Sequence, residues 1–172
     1  ASMKRLSLML AAFAVLCMAV SAQAKTFING IDATYPPFAY VGEDGKPAGF
    51  DVESMDWIAK TMGFEVKHQP MDWDGIIPAL MNKKIDMVCS GMSITPERAE
   101  QVNFSIPYFA SGQQFIVKKG TLKSPEELNK WRVGVDKGTV NEGVLREKFP
   151  GAKVVAYDDT PFAFTALRNG NV

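Results

Sequence analysis

At 172 residues, with 47% hydrophobic, 22% charged and 10% aromatic side chains, the chain suffices for one ordinary domain or two small lobes. Its composition excludes collagen, coiled coil and wholesale disorder. Nineteen Lys plus Arg balance nineteen Asp plus Glu, so no basic field exists to hold a nucleic acid or an anionic membrane surface, and two cysteines make no disulfide scaffold.

Residues 1–24 read as a secretory signal. Lys4 and Arg5 form a positive start, Leu6 to Val20 an apolar stretch, and Ala22-Gln23-Ala24 a small-residue cleavage site, which predicts export and cleavage after Ala24. The stretch is shorter than the roughly 20 residues a spanning helix needs. Acylation at Cys17 fits less well, because Leu16 stands where a small residue is wanted. Without this segment the chain carries a formal charge of −2 and one thiol, Cys89, which reads as a small buried hydrophobe.

The mature part alternates strand and helix signals, the pattern of an α/β protein. Thr26 to Ile31 reads as the first strand. A turn-rich stretch follows, then a helix capped by Asp51, with Val52, Met55, Ile58, Ala59 and Met62 on one face and Gly63 as its stop. Phe64 to His68 alternates as a strand, Asp74 starts a short helix, and Ile85 to Cys89 reads as a buried parallel strand. Thr95-Pro96 announces another helix. Gln113 to Val117 reads as a strand and Ser124-Pro125-Glu126-Glu127 as a capping box. Beyond it lie the strand Arg132 to Val135, the helix Val140 to Phe149, the strand Lys153 to Tyr157, and a last helix capped at Thr160-Pro161 and ended by Gly170. The expected division is lobe 1 over residues 25–112 and lobe 2 over residues 113–172.

Four clusters could carry chemistry. Asp32 to Phe38 follows a strand, which puts Asp32 and Tyr35 at a sheet's carboxyl edge, where α/β proteins place ligands; plain turn chemistry is the alternative. Met71-Asp72-Trp73-Asp74 sets an aromatic between carboxylates at a helix start, open also to capping by Asp74 and core packing by Trp73. Cys89 to Arg98 leads from strand to helix: Ser90 and Ser93 offer hydroxyls, Gly91 admits a close backbone approach, and Arg98 offers the planar fork that pairs with a carboxylate, unless it is only a solvated helix residue. Lys137-Gly138-Thr139-Val140-Asn141 repeats the strand-to-helix logic without being a Walker motif. His68 stands alone and Cys89 has no partner, so neither a metal site nor a cofactor is expected. The aromatic run Phe104 to Phe109 reads as packing.

Together with Gly49-Phe50-Asp51-Val52 and Lys84-Ile85-Asp86-Met87, these blocks stand in an order and spacing that resembles the family 3 extracellular solute-binding proteins, the polar amino-acid receptors of ABC importers. The resemblance covers residues 26–172. It implies a periplasmic binding protein type II fold, two lobes joined by a hinge, with an amino acid as ligand and an inner-membrane permease as partner. It also implies roles: Tyr35 and Trp73 sandwich the ligand's aliphatic part, and Arg98 clamps its α-carboxylate, with help from Ser93 and from backbone groups at Ser90 and Gly91; Met92 is a further ligand contact. Asp32 matches a position that in some members contacts polar or basic side chains, while Thr139 and the amides of Val140 and Asn141 serve the same carboxylate from lobe 2. Val140 departs from the hydroxyl residue common in the family. The family pattern would continue past Val172 into a strand bearing the acid for the α-ammonium, so the expectation is a member lacking its C-terminal third, unable in this form to bind tightly. A dehydratase of cyclohexadienyl acids resembles the family too, as do the sensing domains of receptors.

Overall fold

The computed structural model describes residues 24–172. The secretory-signal reading lies outside the described residues. Among them, no helix is long and apolar enough to cross a membrane.

The first unit is built on a parallel sheet with β1 (Thr26–Ile31) at its centre, flanked by β5 (Glu65–Pro70) and β6 (Met87–Val88). Thr26 pairs with Glu65 and Ile31 with Pro70, so β1 and β5 run in register over six residues. Between them, β2 (Thr34–Tyr35), β3 (Ala39–Val41) and β4 (Pro47–Ala48) form a small antiparallel sheet. Helix α1 (Phe50–Met62) and helix α2 (Trp73–Met81) complete the unit, each packed against the parallel sheet. Ile31, Ala39 and Val52 form one buried cluster and Ile76, Ala79 and Ile85 another. Ile31 and Ile76 are fully buried. Each such side chain contributes about 1.5–3 kcal/mol.

The short α3 (Pro96–Ala99) follows, capped as expected by Thr95, whose hydroxyl accepts from the Arg98 amide at 3.3 Å. After a 3-10 helix at Pro125–Lys130, the second unit pairs β7 (Arg132–Asp136) with β8 (Lys153–Tyr157) in parallel, with α4 (Val140–Lys148) and α5 (Thr160–Asn169) against them.

Five local expectations differ from the structure. Asp51 lies inside α1, and the cap position belongs to Gly49, with φ of 116°. The amides of Phe50 and Asp51 donate to the carbonyls of Pro37 and Phe38 at 3.0 and 2.9 Å, so the helix start needs no side-chain cap. A Cβ on Gly49 would meet the Pro37 carbonyl oxygen at 2.8 Å, so both the dihedral and the space demand glycine. Asp72, not Asp74, occupies the cap position of α2. Asp159, not Thr160, caps α5 by accepting from the Phe162 amide at 2.8 Å. Only Met87–Val88 of the run Ile85 to Cys89 joins the ladder, because the Cys89 amide donates instead to the buried Asn29 side chain at 2.7 Å. Gln113 to Val117 pairs with no strand among the described residues.

Candidate functional site

A cleft of about 1620 Å³ is lined by both units, and every residue singled out from the sequence as a ligand contact, from Asp32 to Asn141, borders it. Its floor on the first unit is the carboxyl edge of β1 and β6, where chain reversals leave side chains and amides open. Asp32 follows β1 and is 6% exposed. Its amide donates to the Ser90 hydroxyl at 2.8 Å, and one carboxylate oxygen accepts from the Thr34 amide and hydroxyl at 3.0 and 2.7 Å. Ser90 is itself buried, so its hydroxyl ties the two strand ends together.

Tyr35 stacks on Phe38 with ring centroids 5.5 Å apart and remains 40% exposed toward the cleft. Trp73 starts α2 and combines the two roles open to it. It packs against the buried Ile76–Ala79–Ile85 cluster, and its indole Nε1 donates to the Gly138 carbonyl of the second unit at 3.2 Å. Arg98 stands over the indole ring, the guanidinium carbon 5.4 Å from its centroid. Arg98 Nη1 donates to the Ser93 carbonyl at 2.9 Å and Nη2 to the Gly138 carbonyl at 3.2 Å. Two of its five donors are thus committed and the guanidinium is fixed in place, leaving three for a carboxylate. Burial pulls its pKa down, partly offset by Glu97. An arginine remains charged under such a shift.

Gly91, with φ of 60°, lies beside the Tyr35 ring, and its amide donates to the Tyr108 hydroxyl at 3.1 Å. Tyr108 in turn donates to Asp51 Oδ1 at 3.0 Å, and the Cys89 thiol to the Asp51 carbonyl at 3.6 Å. Asp51 is fully buried, and that burial raises its pKa against the lowering from its Tyr108 and Gly91 partners. Burial pushes the Cys89 thiol up to about 11, with the Asp51 charge adding to it, so the thiol is unreactive.

From the second unit, Thr139 stands at the N-cap position of α4, where its hydroxyl donates to the Asp136 carbonyl at 2.7 Å. Val140 and Asn141 begin that helix and border the cleft. The Gly138 amide donates to Glu142 at 3.0 Å, and Lys137 Nζ meets Asp74 Oδ2 at 2.7 Å across the two units. Three side chains missed by the sequence reading belong to this neighbourhood. Tyr108 was hidden in an aromatic run read as packing, and Asp51 in a helix-start signal. Asp136 ends a strand as Asp32 follows one, and the same edge argument would have found it. Among the described residues no group of three or more His, Cys, Asp or Glu is placed to hold a metal, and His68 bonds Asp56 and Asn29 at 2.9 and 3.1 Å.

Residues 27–171 match the bacterial extracellular solute-binding proteins, family 3. The chain belongs to this family. It is 41% identical over 150 residues to the L-cystine-binding protein TcyJ of Escherichia coli K12, covering 86% of this chain and 56% of that one. It therefore spans a little over half the length of that relative. An ancestral arginine-binding protein bound to arginine superposes with a TM-score of 0.82 at 45% identity, over 87% of this chain and 68% of that one. An ancestral amino acid-binding protein, a precursor of cyclohexadienyl dehydratase, superposes with a TM-score of 0.82 at 41% identity, over 86% and 67%. The α/β fold read from the sequence is that of this family.

Proposed function

We propose that the full-length protein is an exported, periplasmic receptor that captures a polar L-amino acid between lobes 25–112 and 113–172 and delivers it to the inner-membrane permease of an ABC importer. The observation that carries this reading is the placement of Arg98. Its guanidinium is oriented by two carbonyls and an aromatic face, with three donors free in a cleft that Ser90, Gly91 and Met92 also line. A carboxylate accepts two parallel charge-assisted bonds from such a fork. Tyr35 and Trp73 supply apolar faces for the ligand's aliphatic part, and Ser93, Thr139, Val140 and Asn141 supply polar and backbone groups around its α-carbon. Gly138 accepts from both Trp73 and Arg98, so the lobes meet at the carboxylate end of the ligand.

The relatives described above bind amino acids, and the reading is capture rather than catalysis. A thermal-shift screen of the full-length protein against the twenty amino acids tests it, because a ligand that binds the folded state raises stability with the logarithm of its excess over Kd. The expected result is a clear rise for one or a few polar amino acids. No rise for any of them at millimolar concentration contradicts the reading.

A further inference from the structure

One polar side chain bridges the parallel sheet on the face that α1 covers. Asn29 of β1 is fully buried, and its amide reaches both neighbouring strands: Oδ1 accepts from the Cys89 amide at 2.7 Å, and Nδ2 donates to His68 Nδ1 at 3.1 Å. On its far side His68 Nε2 meets Asp56 Oδ1 of α1 at 2.9 Å, with the imidazole 10% exposed. Asn29, His68 and Asp56 do not border the cleft, but their chain of bonds ends on Cys89, the residue before Ser90 and Gly91, which do.

One proton arrangement satisfies every link. A backbone N–H can only donate, so Cys89 fixes which end of the Asn29 amide faces it; the other end, an NH2, can only donate to His68. Nδ1 is therefore bare and the imidazole neutral, its single proton on Nε2 and directed at Asp56. A second proton on Nδ1 sets donor against donor. If Asn29 turns over to accept it, the NH2 meets the Cys89 N–H and leaves that buried donor unsatisfied; if Asn29 stays, its own NH2 loses its acceptor. Asp56 pulls the other way, since its charge favours an imidazolium, but it is 58% exposed and screened by solvent. Glu53 and Lys60, both exposed, stand about one turn to either side of it on α1 with opposite charges. Phe27, Ile31, Val66 and Pro70, the neighbours on this face of β1 and β5, carry no charge. At the Cys89 end the ladder between β1 and β6 stops at the pair Gly30 and Val88, and the Asn29 side chain takes over from it.

We propose that Asn29 is a positioning residue for the turn Cys89–Ser90–Gly91 at the cleft and that neutral His68 holds it in place, so that uptake of a proton by His68 loosens the turn and weakens amino-acid binding. This rests on the amino-acid-receptor reading above. The coupling is reciprocal, so a bound amino acid opposes protonation of His68.

Calorimetric titration of the full-length protein at pH 7.5 and 5.5, with whichever of the twenty amino acids gives the largest thermal shift, compares wild type, His68→Gln and Asn29→Asp. Asp136, whose Oδ1 is buried without a partner and whose carboxyl is held up to about 6, and the buried Asp51 are present in all three proteins, so the differences between them belong to the Asn29–His68 pair. Wild type is expected to lose affinity about threefold or more beyond any loss in His68→Gln, whose side-chain carbonyl accepts from Asn29 at either pH. Asn29→Asp is expected to reverse the sign, because a carboxylate accepts from both the Cys89 amide and an Nδ1–H and so suits the protonated imidazole. Parallel profiles in wild type and His68→Gln overturn the proposal and leave the receptor reading intact. Hydrogen exchange on wild type requires no variant to fold: protection of the Cys89 amide is expected to drop about threefold or more between the same pH values, and unchanged protection overturns the proposal too. Failure of every amino acid to bind at either pH ends the receptor reading and this one with it.

Discussion

Trp73 and Arg98 converge on one acceptor: the indole Nε1 and the guanidinium Nη2 each donate to the Gly138 carbonyl at 3.2 Å, and the guanidinium lies over the indole ring. A hydrogen bond and a cation–π contact thus hold the same pair of side chains from two directions. The arrangement makes the first unit's aromatic and cationic groups sensitive to where the second unit stands.

Trp73 therefore reports on the ligand. In a variant with Trp57 and Trp131 replaced by phenylalanine, the remaining emission is expected to shift when an amino acid displaces water beside Arg98. Trp73→Ala is expected to weaken binding while lowering stability by less than about 3 kcal/mol, because the ring is only partly buried. A larger stability loss with affinity preserved would assign Trp73 to the core alone.

Tyr108 links three segments through one hydroxyl, accepting from the Gly91 amide and donating to Asp51. Tyr108→Phe keeps the ring against Phe50 but strips Asp51 Oδ1 of this partner, beside an Oδ2 that already has none. Urea unfolding is expected to show a loss of about 1–3 kcal/mol, the range for a buried polar group left unsatisfied. Ligand affinity should fall as well, since the Gly91 amide is released. An unchanged unfolding midpoint would mean that the network carries no energy.

How far the residues themselves disclosed this architecture depended on the range of the interaction involved. Thr26 to Ile31 and Lys153 to Tyr157 match their strands because alternation and flanking turns are local properties. Gly63 and Gly170 end their helices in the left-handed conformation that glycine tolerates. The caps at Asp51 and Thr160 were misplaced because distant groups intervene. Pro37 and Phe38 satisfy the start of α1, and Asp136 draws the Thr160 hydroxyl away from the helix. The Cys89 amide leaves the ladder for Asn29, sixty residues away, and no window of sequence shows that. The clusters around Asp32, Trp73, Arg98 and Thr139 were legible as strand-to-helix turns. Their convergence on one cleft is a matter of topology.

The unpaired Asp136 makes stability depend on pH. Its carboxyl is held up to about 6 in the folded state, burial being the largest cause, against an ordinary 3.8. The groups facing it are Thr160, Asp159, Asp32 and Asp74, the last engaged by Lys137. The folded protein then binds this proton more firmly than the unfolded chain does. Its contribution is greatest below pH 4 and is lost as pH rises through 6. Asp136→Asn is expected to flatten that part of the profile, raising stability at pH 7 by about 1–2 kcal/mol after discounting for partial exposure. Thermal denaturation of both proteins from pH 4 to 8 measures it, and parallel profiles would contradict the assignment.

The central claim is that Arg98 receives the carboxylate of an amino acid in this cleft. Calorimetric titration of full-length wild type, Arg98→Ala and Arg98→Lys with the amino acid found by the thermal-shift screen addresses it directly. Truncation is expected to weaken binding by about 2–5 kcal/mol, the loss seen when one partner of a desolvated charge pair is removed. Lysine is expected to restore only part of it, because an ammonium cannot reproduce the planar fork or keep both carbonyl contacts with Ser93 and Gly138. Near-wild-type affinity in a folded Arg98→Ala protein would contradict the account.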